Sequence, residues 1–206
     1  MKLPVSDIAF TPSVKAQQTR LGSRAQYARM ETGKGWSDRV TPDLAQFLGT
    51  VRSFYLGTAN VEGQPYIQHR GGPAGFLKVI DEKTLGFADL SGNRQYITAG
   101  NLADNPRAFI FVMDYARRLR IKLWGTARIV EDDNALLSRL MPNSGAATAE
   151  RAILFTISAW DRNCPQHIPQ LFAREDVEAA VATLQQRVAE LEAELAEVRG
   201  MGTVQR

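Results

Sequence analysis

The spacing of apolar and polar positions changes character twice along this chain. Residues 1–50 are polar overall and rich in Arg and Gln, with two helix starts. Thr11-Pro12 and Thr41-Pro42-Asp43 each offer a hydroxyl N-cap followed by proline in the first turn. Ser13 to Met30 reads as helical, ETGKGW (31–36) as a loop, and LAQFLGTV as a short helix with Leu44, Phe47 and Leu48 on one face. From residue 53 the period shifts to two. SFYLGTANVEGQPYIQHR (53–70) is a hairpin turning at Glu62-Gly63, and AGFLKVIDEKTLGFADL (74–90) repeats the pattern with a turn at DEKT. A loop and short helix follow, stopping at Asn105-Pro106. RAFIFVMDY (107–115) is an apolar strand. In ARRLRIKLWGTARIVED (116–132), Leu119, Ile121 and Leu123 alternate with Arg120, Lys122 and Trp124, so one face is core and the other basic. A helix over Asn134–Leu140, a flexible NSGAATAE and a last strand, RAILFTISAW (151–160), complete the region. About six short strands with helices at the margins predict a mainly β fold, first a small antiparallel barrel, with a sandwich also suiting the same pattern.

The rhythm changes again after Glu175. Val177, Val181, Leu184, Val188, Leu191, Leu195 and Val198 are spaced alternately by four and three, a coiled-coil seam. Val181, Val188 and Leu195 fall at a, and Val177, Leu184, Leu191 and Val198 at d. Arg187 at g would face Glu192 at e of a second helix, and Glu194 would face Arg199, which favours a parallel dimer. The seam is short, so the barrel is expected to supply most of a homodimer interface. The chain therefore divides into an N-terminal helical segment (1–50), a barrel domain (51–172) and a C-terminal helix (173–206).

Composition narrows the function classes. A net charge of +3 over 206 residues permits an anionic ligand, but Lys and Arg are mixed with acids throughout, against a nucleic-acid binder. One cysteine excludes an intrachain disulfide framework and fits a reducing compartment. With no long apolar run, the expectation is a soluble, cytoplasmic protein without membrane partners.

The densest chemistry by composition is WDRNCPQHIP (160–169), which holds the only cysteine, Cys164, and one of two histidines, His167. Cys164 and His167 make a single C-x-x-H pair with only His69 elsewhere, short of the four ligands of a structural zinc site. A Cys-His nucleophile needs the pair, Cys164 with His167 or His69, within hydrogen-bond reach and a third group to orient the base, and lone cysteines are more often inert. The polar residues are more informative as a set. His69 and Arg70 end one strand; Asn93, Arg94 and Gln95 precede a helix; Arg120 and Lys122 project from the basic strand face. Together they suit a phosphorylated ligand.

The order of these landmarks over about residues 45–172 resembles the pyridoxamine 5'-phosphate oxidase-like, FMN-binding split-barrel family. A strand ends in Arg70. Next come a Ser/Asn-Arg loop (Ser91, Asn93, Arg94), Asn105-Pro106 before an apolar strand, and a basic strand closing in Trp124-Gly125. The resemblance implies a six-stranded antiparallel split β-barrel and a homodimer with FMN at the interface. It places Gln68, His69 and Arg70 along the flavin, Ala88 and Asp89 beside it, Ser91, Asn93, Arg94 and Gln95 on its phosphate, and Arg120 and Lys122 near its ring. It also implies that Trp160, Asn163, Gln166 and His167 cover the flavin, with Cys164 as a packing group. The family often has Lys where Gln95 stands, and the substrate-gripping Arg/His motif of authentic pyridoxamine phosphate oxidases is replaced by WDRNCPQHIP and the heptads. The implied function is an FMN-dependent oxidoreductase on an unidentified small molecule. The alternatives are a non-catalytic flavin carrier, sensor or store, or a deazaflavin or haem in place of FMN. No catalytic residue is named, and no metal is expected.

Overall fold

The computed structural model describes residues 3–33, 35–142, 148–162 and 165–202. They form two compact units. The larger comprises residues up to Asp114 together with Leu119–Pro165. The smaller joins Tyr115–Arg118 to the chain from Gln166 onward.

The larger unit opens with a 3-10 turn at Val5–Ile8, then α1 (Pro12–Arg20), α2 (Arg24–Thr32) and α3 (Pro42–Leu48). The hydroxyls of Thr11 and Thr41 accept from the amides of Val14 and Leu44, each at 3.3 Å, so both predicted caps form. Ser13–Met30 is two helices rather than one. They are broken at Gly22, whose φ of +81° lies in the left-handed region that glycine enters without a Cβ penalty. α2 also runs two residues into the stretch read as a loop, taking in Glu31 and Thr32. On α3, Leu44, Phe47 and Leu48 are all buried.

Seven strands follow: β1 (Ser53–Ala59), β2 (Pro65–Gly71), β3 (Lys78–Val79), β4 (Thr84–Leu90), β5 (Arg107–Asp114), β6 (Leu119–Val130) and β7 (Ala149–Arg162). α4 (Ile97–Asp104) lies between β4 and β5, and α5 (Asn134–Leu140) between β6 and β7. Against the expected six, the described residues hold seven strands, one of them, β3, a two-residue strand on the first arm of the hairpin that turns at DEKT. All neighbours pair antiparallel, in the order β2-β1-β5-β6-β7-β4-β3.

The local turn signals act as read. Gly63 has φ +88° and donates its amide to Asn60 O at 3.0 Å, closing the β1–β2 hairpin. The Asp81 carboxylate accepts from the amides of Lys83 and Thr84 at 2.8 Å, turning β3 into β4. Those donors hold its pKa below the ordinary aspartate range. Asn105, with Pro106 behind it, ends α4 in extended geometry. β7 begins at Ala149, two residues before the expected start, so Glu150 is in a strand; residues 143–147 of the stretch read as flexible lie outside the described residues. At Gly125 the pairing of β6 with β7 shifts, and a Cβ there would come within 2.0 Å of Thr156 O. Only glycine fits that bulge.

The inward faces of the strands meet in one core of Phe54, Phe76, Phe87, Phe155, Leu56, Ile110 and Leu123 with α3 against it. A smaller cluster gathers Ala88, Leu140, Ala152 and Leu154 under α5. The outward face of β6 is not an open basic surface. Trp36 stacks on Trp124 with ring centroids 4.6 Å apart, and Lys122 lies over both rings at 5.6 and 5.3 Å while pairing with Asp161 at 3.1 Å.

In the smaller unit Arg118 Nε donates to Ile168 O at 3.1 Å and Gln170 Nε2 to Ala116 O at 2.8 Å. α6 (Arg174–Gly202) is a single helix whose seven seam residues are 41–67% exposed. Arg187 reaches Glu190 and Glu194 of its own helix at 3.0 and 3.9 Å. The side chain of Arg199 lies outside the described residues. No helix among the described residues is long and apolar enough to cross a membrane.

Candidate functional site

A cavity of about 210 Å³ lies where β2, β4 and the N-terminus of α4 converge. Alternation along β2 turns Tyr66, Gln68 and Arg70 inward to line it, while Ile67 and His69 point outward. β4 contributes Asp89 and Leu90. The loop after it brings Gly92, Asn93, Arg94 and Gln95, and α4 brings Ile97, Thr98 and Ala99. Two polar contacts fix the helix to the sheet: Thr98 Oγ1 donates to Gln68 Oε1 at 2.7 Å, and Asn101 Nδ2 to Thr58 Oγ1 at 3.0 Å. The loop has an unusual backbone, with Arg94 and Tyr96 both left-handed at φ +57° and +55°. Non-glycine residues hold such angles at a cost of about 1–3 kcal/mol each, so they mark a segment whose shape is imposed by its surroundings.

The site is a lattice of alternating charges. Arg70 Nη1 donates to Asp89, and Arg151 Nε lies 3.5 Å from the other Asp89 oxygen. Arg151 also reaches Glu131 at 3.0 Å and Glu150 at 2.7 Å. Glu150 accepts from Ser91 Oγ and from Tyr96 Oη, each at 3.3 Å, and Tyr96 Oη accepts from Arg94 Nε at 3.0 Å. The hydrogen bond from Arg151 holds the Glu150 carboxyl below the usual glutamate range, and the hydrogen bond to Tyr96 raises Arg94. Arg70 Nε is buried with no hydrogen-bond partner among the described residues. A spare guanidinium donor at the cavity wall, with amide side chains and a helix N-terminus beside it, suits an anionic group.

Gln68, Arg70, Asp89, Asn93, Arg94 and Gln95 therefore come together at one cavity, with Ser91 at its rim. The other expected residues do not line it. His69 is exposed and edge-on to Tyr55 at 5.7 Å, and Ala88 packs in the cluster under α5. Lys122 is committed to Asp161 and the tryptophans, and Arg120, two residues away on the same strand, is absent from the lining. Trp160 is tied to the N-terminal segment: its amide donates to Ser37 O at 2.8 Å and its indole to Arg39 O at 2.7 Å. Gln166 and His167 belong to the smaller unit, His167 with φ +61°. Asn163 and Cys164 lie outside the described residues. Tyr66, Tyr96, Glu150 and Arg151 are site residues that sequence reasoning passed over. The one available signal was the continuation of strand alternation back from Arg151 to Ala149.

The family model described as pyridoxamine 5'-phosphate oxidase matches residues 40–164, more than half of the chain. No curated protein matches. Three solved structures illustrate the structural similarity. HupZ of Group A Streptococcus is 18% identical, covering 65% of this chain and 99% of its own at a TM-score of 0.49. An F420 reductase is 20% identical, covering 59% and 98% at 0.43. A Clostridium acetobutylicum protein related to general stress protein 26 of B. subtilis is 16% identical, covering 64% and 92% at 0.43. On the family-model match, which spans β1 to β7 and every residue of the cavity, the chain belongs to the pyridoxamine 5'-phosphate oxidase family.

Proposed function

We propose that this protein is an FMN-binding oxidoreductase that works as a homodimer, its larger unit a six-stranded split barrel with β3 as a short appendage. The cavity between β2, β4 and α4 carries the reading. Its Arg70, Asn93, Arg94 and Gln95 offer cationic and amide donors, and the amides at the start of α4 add a favourable dipole. These residues would hold the phosphate and ribityl end. Gln95 adds no charge, so Arg94 and Arg70 would carry the electrostatic attraction.

Size argues for the second subunit. About 210 Å³ falls below the roughly 300–1,000 Å³ of complete small-molecule sites. One chain thus supplies a cradle for one end of the cofactor, and a second copy would wall the ring. Two apolar surfaces support that partner: the exposed Tyr55 and Ile67 on the outward face of β1 and β2, and the open seam of α6. His69, on the same outward face as Tyr55 and Ile67, would reach the ring from the first of these surfaces.

Bound FMN would supply hydride or electron transfer to a small molecule. The chain's task is to bind it, orient it and exclude water. No protein acid or base is assigned, because hydride transfer at the flavin needs none.

The test is comparative titration of the purified protein with FMN and riboflavin. FMN is expected to bind at least tenfold more tightly, and Arg94→Ala to remove most of that preference. Equal affinity for both would remove the phosphate reading. Bleaching of bound flavin by a reduced nicotinamide separates an oxidoreductase from a carrier, sensor or store.

A further inference from the structure

Glu150 stands where an anionic ligand would be expected. Its carboxylate collects three donors: Arg151 at 2.7 Å, and the hydroxyls of Ser91 and Tyr96 at 3.3 Å each. It lines the same cavity as Arg70 and Arg94. A guanidinium and two hydroxyls converging on one point is the donor set that a phosphate oxygen takes.

The backbone brings it there. Between β4 and β7 the register shifts: Asp89 faces Arg151 and Leu90 faces Ala149, so Glu150 has no partner on β4. An extra residue in one strand re-aims its side chain. Glu150 is also held loosely, with its side chain 29% exposed and two of its three hydrogen bonds long. It can leave for solvent, whereas Asp89 is pinned between Arg70 and Arg151.

We propose that Glu150 is a specificity-determining residue, an internal carboxylate that fills the anion position of the free site and is displaced when a phosphate ester binds. With Glu150 in place, the arginines Arg70, Arg94 and Arg151 are largely offset by Asp89 and Glu150, and a weak or singly charged anion gains little there. A dianionic phosphate monoester competes for the same donors and drives the carboxylate out. The inference rests on the FMN reading only for the identity of the phosphate ester.

The experiment uses the full chain with Glu150→Gln and Glu150→Asp, and two probes. The first is inorganic phosphate, read as a shift in Tm at constant ionic strength. The second is FMN, read by quenching of flavin fluorescence. Glu150→Gln is expected to bind both probes about tenfold more tightly, the factor that ~1.4 kcal/mol represents. Glu150→Asp, which keeps the charge, is expected to stay within about twofold of the wild type. Unchanged or weaker phosphate binding in Glu150→Gln would overturn the proposal. A Glu150→Asp chain that behaves like Glu150→Gln would also overturn it, by assigning the effect to side-chain reach rather than charge. If phosphate responds as expected and no chain binds FMN, the FMN reading fails while the role of Glu150 stands.

Discussion

Arg70 on β2 and Asp89 on β4 pair directly, although the sheet order places four strands between theirs. The sheet curls so that these strands meet at the cavity, and the ion pair is the contact that joins them. Both side chains are mostly buried, at 13% and 18% exposure, and Arg151 shares the carboxylate. Removing one partner of such a pair leaves an uncompensated charge, so Asp89→Ala is expected to cost about 2–3 kcal/mol. Urea denaturation would read this as a lower midpoint at unchanged slope. A loss under about 0.5 kcal/mol would show that solvent satisfies the two arginines as well as Asp89 does.

The N-terminal segment is held on the sheet by an aromatic cluster. Phe10 packs against Tyr27 and Trp36, and Trp36 stacks on Trp124 beside Lys122. Trp36→Ala removes the stack and the cover over Lys122. The expected loss is about 2 kcal/mol, with Trp36→Phe recovering about half. Thermal unfolding of both variants checks this; equal stability of Trp36→Ala and the wild type would mean that the segment contributes nothing to the fold.

Acid should loosen the same segment. Glu31 accepts from Arg24 and lies 3.9 Å from Lys15, and the Arg24 hydrogen bond leads the lowering of its pKa. A folded-state pKa below the unfolded value gives stability that is fully present above the ordinary glutamate pKa, about 4.3. It is lost as pH falls through the lowered folded value. The stability gap between wild type and Glu31→Gln should therefore be constant from neutral pH to about pH 5 and close below about pH 4. A gap that persists at low pH would assign the effect of the variant to packing.

The heptad seam of α6 tests the homodimer. Leu184→Asp with Leu191→Asp places carboxylates at two central d positions. The double variant is expected to dissociate at least tenfold more readily in sedimentation, while keeping some dimer through the larger unit. A wild type that sediments as a monomer at every concentration would remove the second copy from the account.

Much of the fold was legible because it is locally encoded. Thr11-Pro12, Thr41-Pro42, Gly63, Asp81 and Asn105-Pro106 act through neighbours two to four residues away, and α5 falls on the predicted residues. What was not legible depends on distant chain. Trp160 reads as a flavin cover until Ser37 and Arg39 claim its amide and indole from the far end of the sequence. Lys122 reads as a free cation until Trp36 and Asp161 enclose it. Glu150 was passed over because the last strand was read from residue 151, and because no period announces the bulge that turns it into the cavity. Arg70, Asn93, Arg94 and Gln95 were legible because a strand end, a loop and a helix start each carried its own signal, whereas Gln68 and Asp89 came only from the family resemblance.

The most direct measurement is an absorption spectrum of the protein as purified, followed by mass analysis of what heat releases. The account predicts the absorption bands of a bound oxidised flavin and FMN as the released species. A colourless protein that also fails to take up added FMN would contradict it.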